Sequence, residues 1–331
     1  MISIFTSPAP SFTTLQIEKI IRSQFNISGS AKSLYGDRDQ NFLIKTKKLY
    51  YILKIFNAEE KKEIIDLQNN AINHIRKNDS KIQIPVTIDH KRINQNGKTY
   101  SFKLLKFLEG EFLFEKPMSF QDYSDMGSFM GKLSKALVGF DHKAAHRSFE
   151  WDCRQIGILK KNLNFINTKT KQDIILFFLD TYIKNVAPFL DKLRMSVIHN
   201  DGNDHNILIN YKHKTFGIID FGDMVHSYHI VESAVAIAYI YLNNQKPYEK
   251  IHAFLKGYHS SFPLEKLELE LILYFMCMRL CTTVTMAAWR KKLFPRNRYL
   301  IISENPAWSA LDKLSQTNLS QLSKDLLKNV E

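Results

Sequence analysis

Val197-Ile198-His199-Asn200-Asp201-Gly202-Asn203-Asp204-His205-Asn206-Ile207-Leu208-Ile209, a polar turn, and then Phe216-Gly217-Ile218-Ile219-Asp220-Phe221-Gly222-Asp223 form the stretch that decides the fold. Residues 207–210 and 215–219 are apolar arms of similar length joined by residues 211–214. A hairpin rising about 3.3 Å per residue therefore returns the chain to its start and sets Asn206 beside Asp220. Two oxygen-bearing side chains at one end of a hairpin, next to the Asp201 loop, suit Mg²⁺, a hard cation that takes oxygen ligands and keeps waters and phosphates. The spacing His-x-Asp-x-x-x-x-Asn followed by Asp-Phe-Gly is the division of labour of phosphoryl transfer. Asp201 orients the attacking hydroxyl, while Asn206 and Asp220 hold metal. Turn formation alone explains the run Asp201-Gly202-Asn203-Asp204 but not what frames it. His199, at the end of an apolar strand, reads as a residue whose ring fixes the loop. Asp223 is open to metal, substrate or its own backbone.

A kinase also needs a cation for the phosphates. Lys54 stands inside the apolar strand Tyr50-Tyr51-Ile52-Leu53-Lys54-Ile55-Phe56, and a buried lysine requires a partner. The helix that follows offers Glu63 or Asp66; the alternative is that Lys54 snorkels to solvent from a sheet edge. The turn Leu34-Tyr35-Gly36-Asp37-Arg38-Asp39-Gln40-Asn41 stands where a phosphate-covering loop belongs, although it holds a single glycine.

Outward from these motifs the chain divides in two. A helix over residues 14–24 precedes strands over 32–56 broken by turns at 35–39 and 46–48. An amphipathic helix over 59–77 carries Ile64, Leu67, Ala71 and Ile75 on one face, and a strand covers 100–107. From residue 119 onward helical periodicity dominates, over 123–140, 174–189, 231–243, 248–258 and 267–289. The expectation is an α+β fold with a small antiparallel-sheet lobe over residues 1–108 and a larger, mainly helical lobe over 109–331 that carries the catalytic loop.

The 331 residues are 44% hydrophobic and 24% charged, with 12 Gly and 9 Pro, which describes a folded chain rather than a disordered one. The longest apolar-looking stretch, residues 230–242, is too short to cross a bilayer, and residues 1–14 do not resemble a signal peptide. A cytoplasmic enzyme is expected. Cys153, Cys277 and Cys281 show no metal spacing, and the last two lie one helical turn apart as reduced packing thiols. The net charge of +13 is spread in lysine pairs such as Lys47-Lys48 and Lys160-Lys161. That distribution describes a solvated surface biased toward anionic ligands rather than a nucleic-acid interface.

The residues 198–208 and 217–224 resemble the aminoglycoside phosphotransferase superfamily, and within it the hydroxylysine kinases and homoserine-kinase-like proteins. The similarity extends to Asp39-Gln40-Asn41-Phe42-Leu43, Leu53-Lys54, Ile65-Asp66-Leu67-Gln68-Asn69, Leu104-Leu105 and Gly110. The resemblance implies a bilobal, protein-kinase-like fold that binds ATP or GTP. The base would lie at the hinge, near Lys106, Phe107 and Leu108, with Lys54 on the phosphates, Asn206 and Asp220 on Mg²⁺, and Asp201 as base; hydroxylysine kinases tilt the donor toward GTP. Three positions depart from the family pattern: Asn200 stands where Gly is usual, Gly202 where a bulky apolar residue is usual, and Asp66 where the helix acid is usually Glu. The last of these favours Asp66 over Glu63 as the partner of Lys54. The expected acceptor is the hydroxyl of an amino-bearing metabolite, a hydroxylysine-like amino alcohol ahead of an aminoglycoside, with a catalytically silent nucleotide binder as the rival.

Overall fold

A computed structural model describes residues 4–328. Helix α1 (Thr14–Phe25) begins with a reciprocal cap, in which the Gln16 N–H donates to Thr13 Oγ1 and the Thr13 N–H donates to Gln16 Oε1 at 2.8 Å. Strands β1 (Ser30–Leu34), β2 (Gln40–Lys45) and β3 (Tyr50–Ile55) meander into helix α2 (Lys62–Asn78), followed by β4 (Thr87–Gln95) and β5 (Lys98–Lys106). The five strands form one antiparallel sheet in the order β1-β2-β3-β5-β4.

Strand alternation sorts this sheet's faces. Phe42, Ile44, Leu53, Ile55, Phe102 and Leu104 bury one face against α1. Lys54 and Lys103 therefore project from the other. Strand β4 escaped the sequence reading because its burial alternates only between half-buried and exposed, with Asp89, His90, Lys91 and Arg92 in succession. Its signal was Asn96-Gly97, both at positive φ (52° and 75°), the residue pair of a tight hairpin turn.

The remaining chain supplies β6 (Glu111–Phe112), α3 (Phe120–Ala136), α4 (Ile156–Asn162), α5 (Lys169–Asn185) and β7 (Met195–Ile198). Then come β8 (Ile207–Asn210), β9 (Thr215–Ile218), β10 (Val225–Tyr228) and α6 (Ile230–Leu242). Helices α7 (Pro247–Ser261), α8 (Lys266–Leu293), α9 (Glu304–Ser315) and α10 (Leu319–Leu327) complete it. β8 and β9 form the expected hairpin, Asn210 paired with Thr215 and Ile207 with Ile218, while β7 pairs with β10. Glycines let α3 and α7 touch backbone to backbone: a Cβ on Gly127 would lie 1.9 Å from the Phe254 carbonyl oxygen, and one on Gly257 equally close to that of Ser124.

Helix α8 (28 residues) is longer than the helix over residues 230–242 (13 residues). Its length and composition would suit a membrane span, but its apolar window is 94% buried within the protein, so it is the core helix of the large lobe. The three cysteines are buried free thiols. Leu67, Ala71, Ile72 and Ile75 of α2 belong to this same large core rather than to the one beneath the sheet, which roots α2 in the helical half.

Glu232, in the first turn of α6, is fully buried and ties that helix to the loop after β7. The His199 N–H donates to its Oε2 at 2.6 Å, with Asn200 N at 3.4 Å. Burial raises its pKa from 4.5 to about 7, against the two N–H donors and Arg279. The folded-state pKa exceeds the unfolded one, so ionisation subtracts stability as pH climbs from about 5 through 7. Glu232→Gln keeps an acceptor for the His199 N–H and removes the ionisation. Thermal melts from pH 5 to 8 should show the wild type losing stability relative to this variant as pH rises; a pH-independent difference would contradict the assignment.

Candidate active site

The β7–β8 loop and the β8–β9 hairpin form the floor of a cleft, and the polar face of the five-stranded sheet forms its roof. Between them lies a cavity of 740 Å³ lined by Asn41, Lys54, Lys106, Phe107, Leu108, Asp201, Asn206, Asp220 and Asp223, so nearly all the residues singled out from sequence meet there. Asp66 and His199 are outside that lining.

The floor is built around Asp201. The Asn206 amide donates to Asp201 Oδ2 at 2.6 Å and to the Asp201 carbonyl at 2.9 Å, and the Asn203 amide donates to Oδ1 at 2.8 Å. The Ile219 N–H donates to the Asn206 carbonyl at 2.9 Å, closing the hairpin and placing Asp220 next to Asn206. Asp220 has a left-handed backbone, φ 62°, a conformation uncommon outside Gly that Asp tolerates better than most residues. His199 is a strut: its Nε2 meets the Ile219 carbonyl at 3.1 Å, and its Nδ1 accepts the Asp201 N–H at 3.3 Å. Burial pulls its pKa down to about 4, so the ring is neutral at physiological pH.

The roof contributes Lys54, whose Nζ lies 2.8 Å from Asp220 Oδ1 and 3.0 Å from Asp39 Oδ2. Burial would lower its pKa, but the two carboxylates overcome that and hold it above the usual lysine range. Asp220 is the mirror case: burial would raise it, and Lys54 with Arg38 holds it well below the usual carboxylate range. The expected Asp66 or Glu63 partner is thus replaced by Asp39. The sheet register explains the exchange. Asn41 lies opposite Lys54, which puts Asp39 two residues along the same face, within diagonal reach. Glu63 is exposed, and Asp66 forms no ion pair among the described residues. The loop between β1 and β2 is clamped to the helical half twice more, by Arg38 on Asp223 and by Arg290 on Asp37 at 2.5 Å. Asp223 therefore faces a protein cation.

Among known proteins, the profile of the Phosphotransferase enzyme family matches residues 31–269. The chain belongs to this family. It is 28% identical to mouse (Mus musculus) hydroxylysine kinase, an alignment covering 93% of this chain and 90% of the relative. Among solved structures, a microcompartment-associated aminopropanol kinase superposes with a TM-score of 0.75 at 14% identity, covering 94% of this chain and 99% of that one. A GDP complex of an aminoglycoside 2'-phosphotransferase gives 0.66 at 15% identity, covering 92% and 99%. The protein is a kinase with a bilobal α+β fold and a nucleotide co-substrate.

Both departures in the kinase's β7–β8 loop have local causes. Asn200 occupies the left-handed region at φ 68°, where Asn is the best tolerated substitute for Gly. Beside Gly202, the Met130 methyl would lie 2.7 Å from an added Cβ, so a side chain from α3 fills the space a bulky loop residue would need.

Arg279 was missed from sequence. It is 1% exposed at the centre of α8, and its Nη2 donates to Asp201 Oδ1 at 2.6 Å, while its guanidinium carbon sits 4.8 Å from the Trp151 ring centroid. Burial raises Asp201 to about 7, and Arg279 opposes that rise. The signal was legible: Arg279 is the one charge between Glu270 and Arg290 in an otherwise uncharged helical run, and a charge there must find a buried partner. Removing one member of a buried pair costs about 3–5 kcal/mol. Arg279→Met should therefore destabilise the fold by that order, and adding Asp201→Asn should recover part of the loss. Additive effects in denaturant titrations of the two single variants and the double variant would contradict the coupling.

Proposed function

We propose that this kinase transfers the γ-phosphoryl group of ATP or GTP to the hydroxyl of an amino-bearing metabolite in the cytoplasm, with hydroxylysine-like amino alcohols as the favoured acceptors. The observation that carries the reading is the convergence of Asp201, Asn206 and Asp220 at one end of the hairpin, directly beneath Lys54. In this reading Asp201 takes the proton of the attacking hydroxyl, and three donors fix its carboxylate for that task. Lys54 meets the phosphates, and Asn41 with the hinge residues Lys106, Phe107 and Leu108 surrounds the nucleotide. Positioning and electrostatics supply the catalysis.

The donor set fits Mg²⁺. Asn206 spends its amide nitrogen on Asp201, and Asp220 uses Oδ1 for Lys54 and the Gly222 N–H, which leaves one hard oxygen on each for a cation. The ion, when bound, neutralises charge on the phosphates.

The cavity's charged lining supports an amino-acid hydroxyl over a polycationic drug. Arg279, Arg290 and Arg298 line it together with Asp37 and Glu304. Arg279 is engaged by Asp201 and Arg290 by Asp37, which leaves Arg298, without an ion pair among the described residues, to meet an acceptor's carboxylate. Guanidinium groups suit an acceptor with a carboxylate and disfavour one with several ammonium groups. Nucleotide consumption with Mg²⁺ over amino alcohols, sugars and aminoglycosides should single out 5-hydroxylysine. Asp201→Asn should lower kcat by about 10²–10⁴-fold. A wild type indistinguishable from Asp201→Asn on every acceptor would favour a silent nucleotide binder.

A further inference from the structure

Lys103 on β5 is Cα-paired with Lys54 on β3, so the two side chains leave the sheet on the same face. It is 3% exposed and lines the 740 Å³ cavity. Its Nζ lies 5.1 Å from the centroid of the Phe56 ring, and Lys54 Nζ lies 5.3 Å from the same centroid, so the two ammonium groups flank one aromatic. Unlike Lys54, Lys103 makes no hydrogen bond or ion pair among the described residues. A buried cation without an anionic partner is costly, and the Phe56 ring relieves that cost only in part. Asp39, from the β1–β2 loop, is engaged by Lys54 and by the Asn57 N–H. Asp66 on α2 and His90 on β4 face Lys103 without bonding it.

We propose that Lys103 is a second phosphate-binding cation of the nucleotide site, contacting the phosphate chain beside Lys54. The proposal rests on the nucleotide reading of the cleft. In the free protein, burial and the neighbouring charge of Lys54 lower the Lys103 pKa to about 7, Asp39 and Asp66 acting in the opposite sense. The group thus sheds part of its charge while it has no anion to meet. Phosphate supplies that anion, so binding near neutral pH takes up a proton.

The test is calorimetric titration of the full chain with Mg²⁺–GTP, Mg²⁺–ATP and inorganic tripolyphosphate at pH 7, in two buffers of different ionisation enthalpy. Wild type, Lys103→Met, Lys103→Arg and Lys54→Met are compared. Lys103→Met should weaken all three ligands by about 10- to 100-fold, the scale of a lost charge-assisted contact. Lys103→Arg should restore most of that affinity. Lys103 should contribute about half a proton to the uptake on binding, the amount expected of a group near its pKa, so Lys103→Met should take up about half a proton less than the wild type. Unchanged affinity in a Lys103→Met protein that melts like the wild type overturns the proposal, as does weakening confined to one nucleobase with tripolyphosphate unaffected. Proton uptake is read on the wild type, so its absence overturns the proposal even where a variant fails to fold. Wild-type protein that binds neither nucleotide defeats the underlying reading of the cleft, and this proposal with it.

Discussion

The contact between Lys54 and Asp220 is the constraint on which the site depends. One group belongs to the sheet and the other to the hairpin; Lys54 is buried and needs an anion to keep its charge, while the Asp220 side chain stays 42% accessible from the cleft. Their attraction, supported by Asp39, sets the height of the roof above the floor. The clamps of Arg38 on Asp223 and Arg290 on Asp37 repeat the same solution further along the loop. The cleft is thus lined largely by paired charges, and in the proposed reading its cations exchange protein carboxylates for phosphate.

The floor of the cleft follows a different logic, since backbone hydrogen bonds and side chains bonded to backbone fix most of it. The hairpin register places Asn206 against Asp220, His199 braces the far side through the Ile219 carbonyl, and Glu232 caps the loop from α6. Asp201 hangs from this frame with Arg279 behind it. The guanidinium reaches it from α8, so the residue read as the base is held by the longest helix of the core, and disturbing that packing disturbs the site.

Much of this was legible in the chain because it is local. The arms of the hairpin, the polar turn between them and the apolar strand around Lys54 are each short patterns whose geometry follows from strand rise and alternation. What was not legible depends on register or on distant packing. Asp39 replaces Asp66 as the partner of Lys54 because of how β2 aligns with β3, which neither strand reveals alone. Strand β4 lacks an apolar face, Met130 compensates for Gly202 from 72 positions away in the sequence, and Lys103 becomes conspicuous only when its lack of a partner can be seen. Arg279 lies between these cases: its burial was inferable from the run around it, its target was not.

In the proposed reading a phosphoryl group passes directly to a small hydroxyl acceptor under the control of Asp201. Mass spectrometry after incubation with Mg²⁺ and a nucleoside triphosphate carrying ¹⁸O in its γ-phosphoryl group follows that transfer. The labelled phosphoryl group should appear on an intact amino-alcohol acceptor that keeps its own hydroxyl oxygen. Label found only in inorganic phosphate, with every acceptor unchanged in mass, would contradict it.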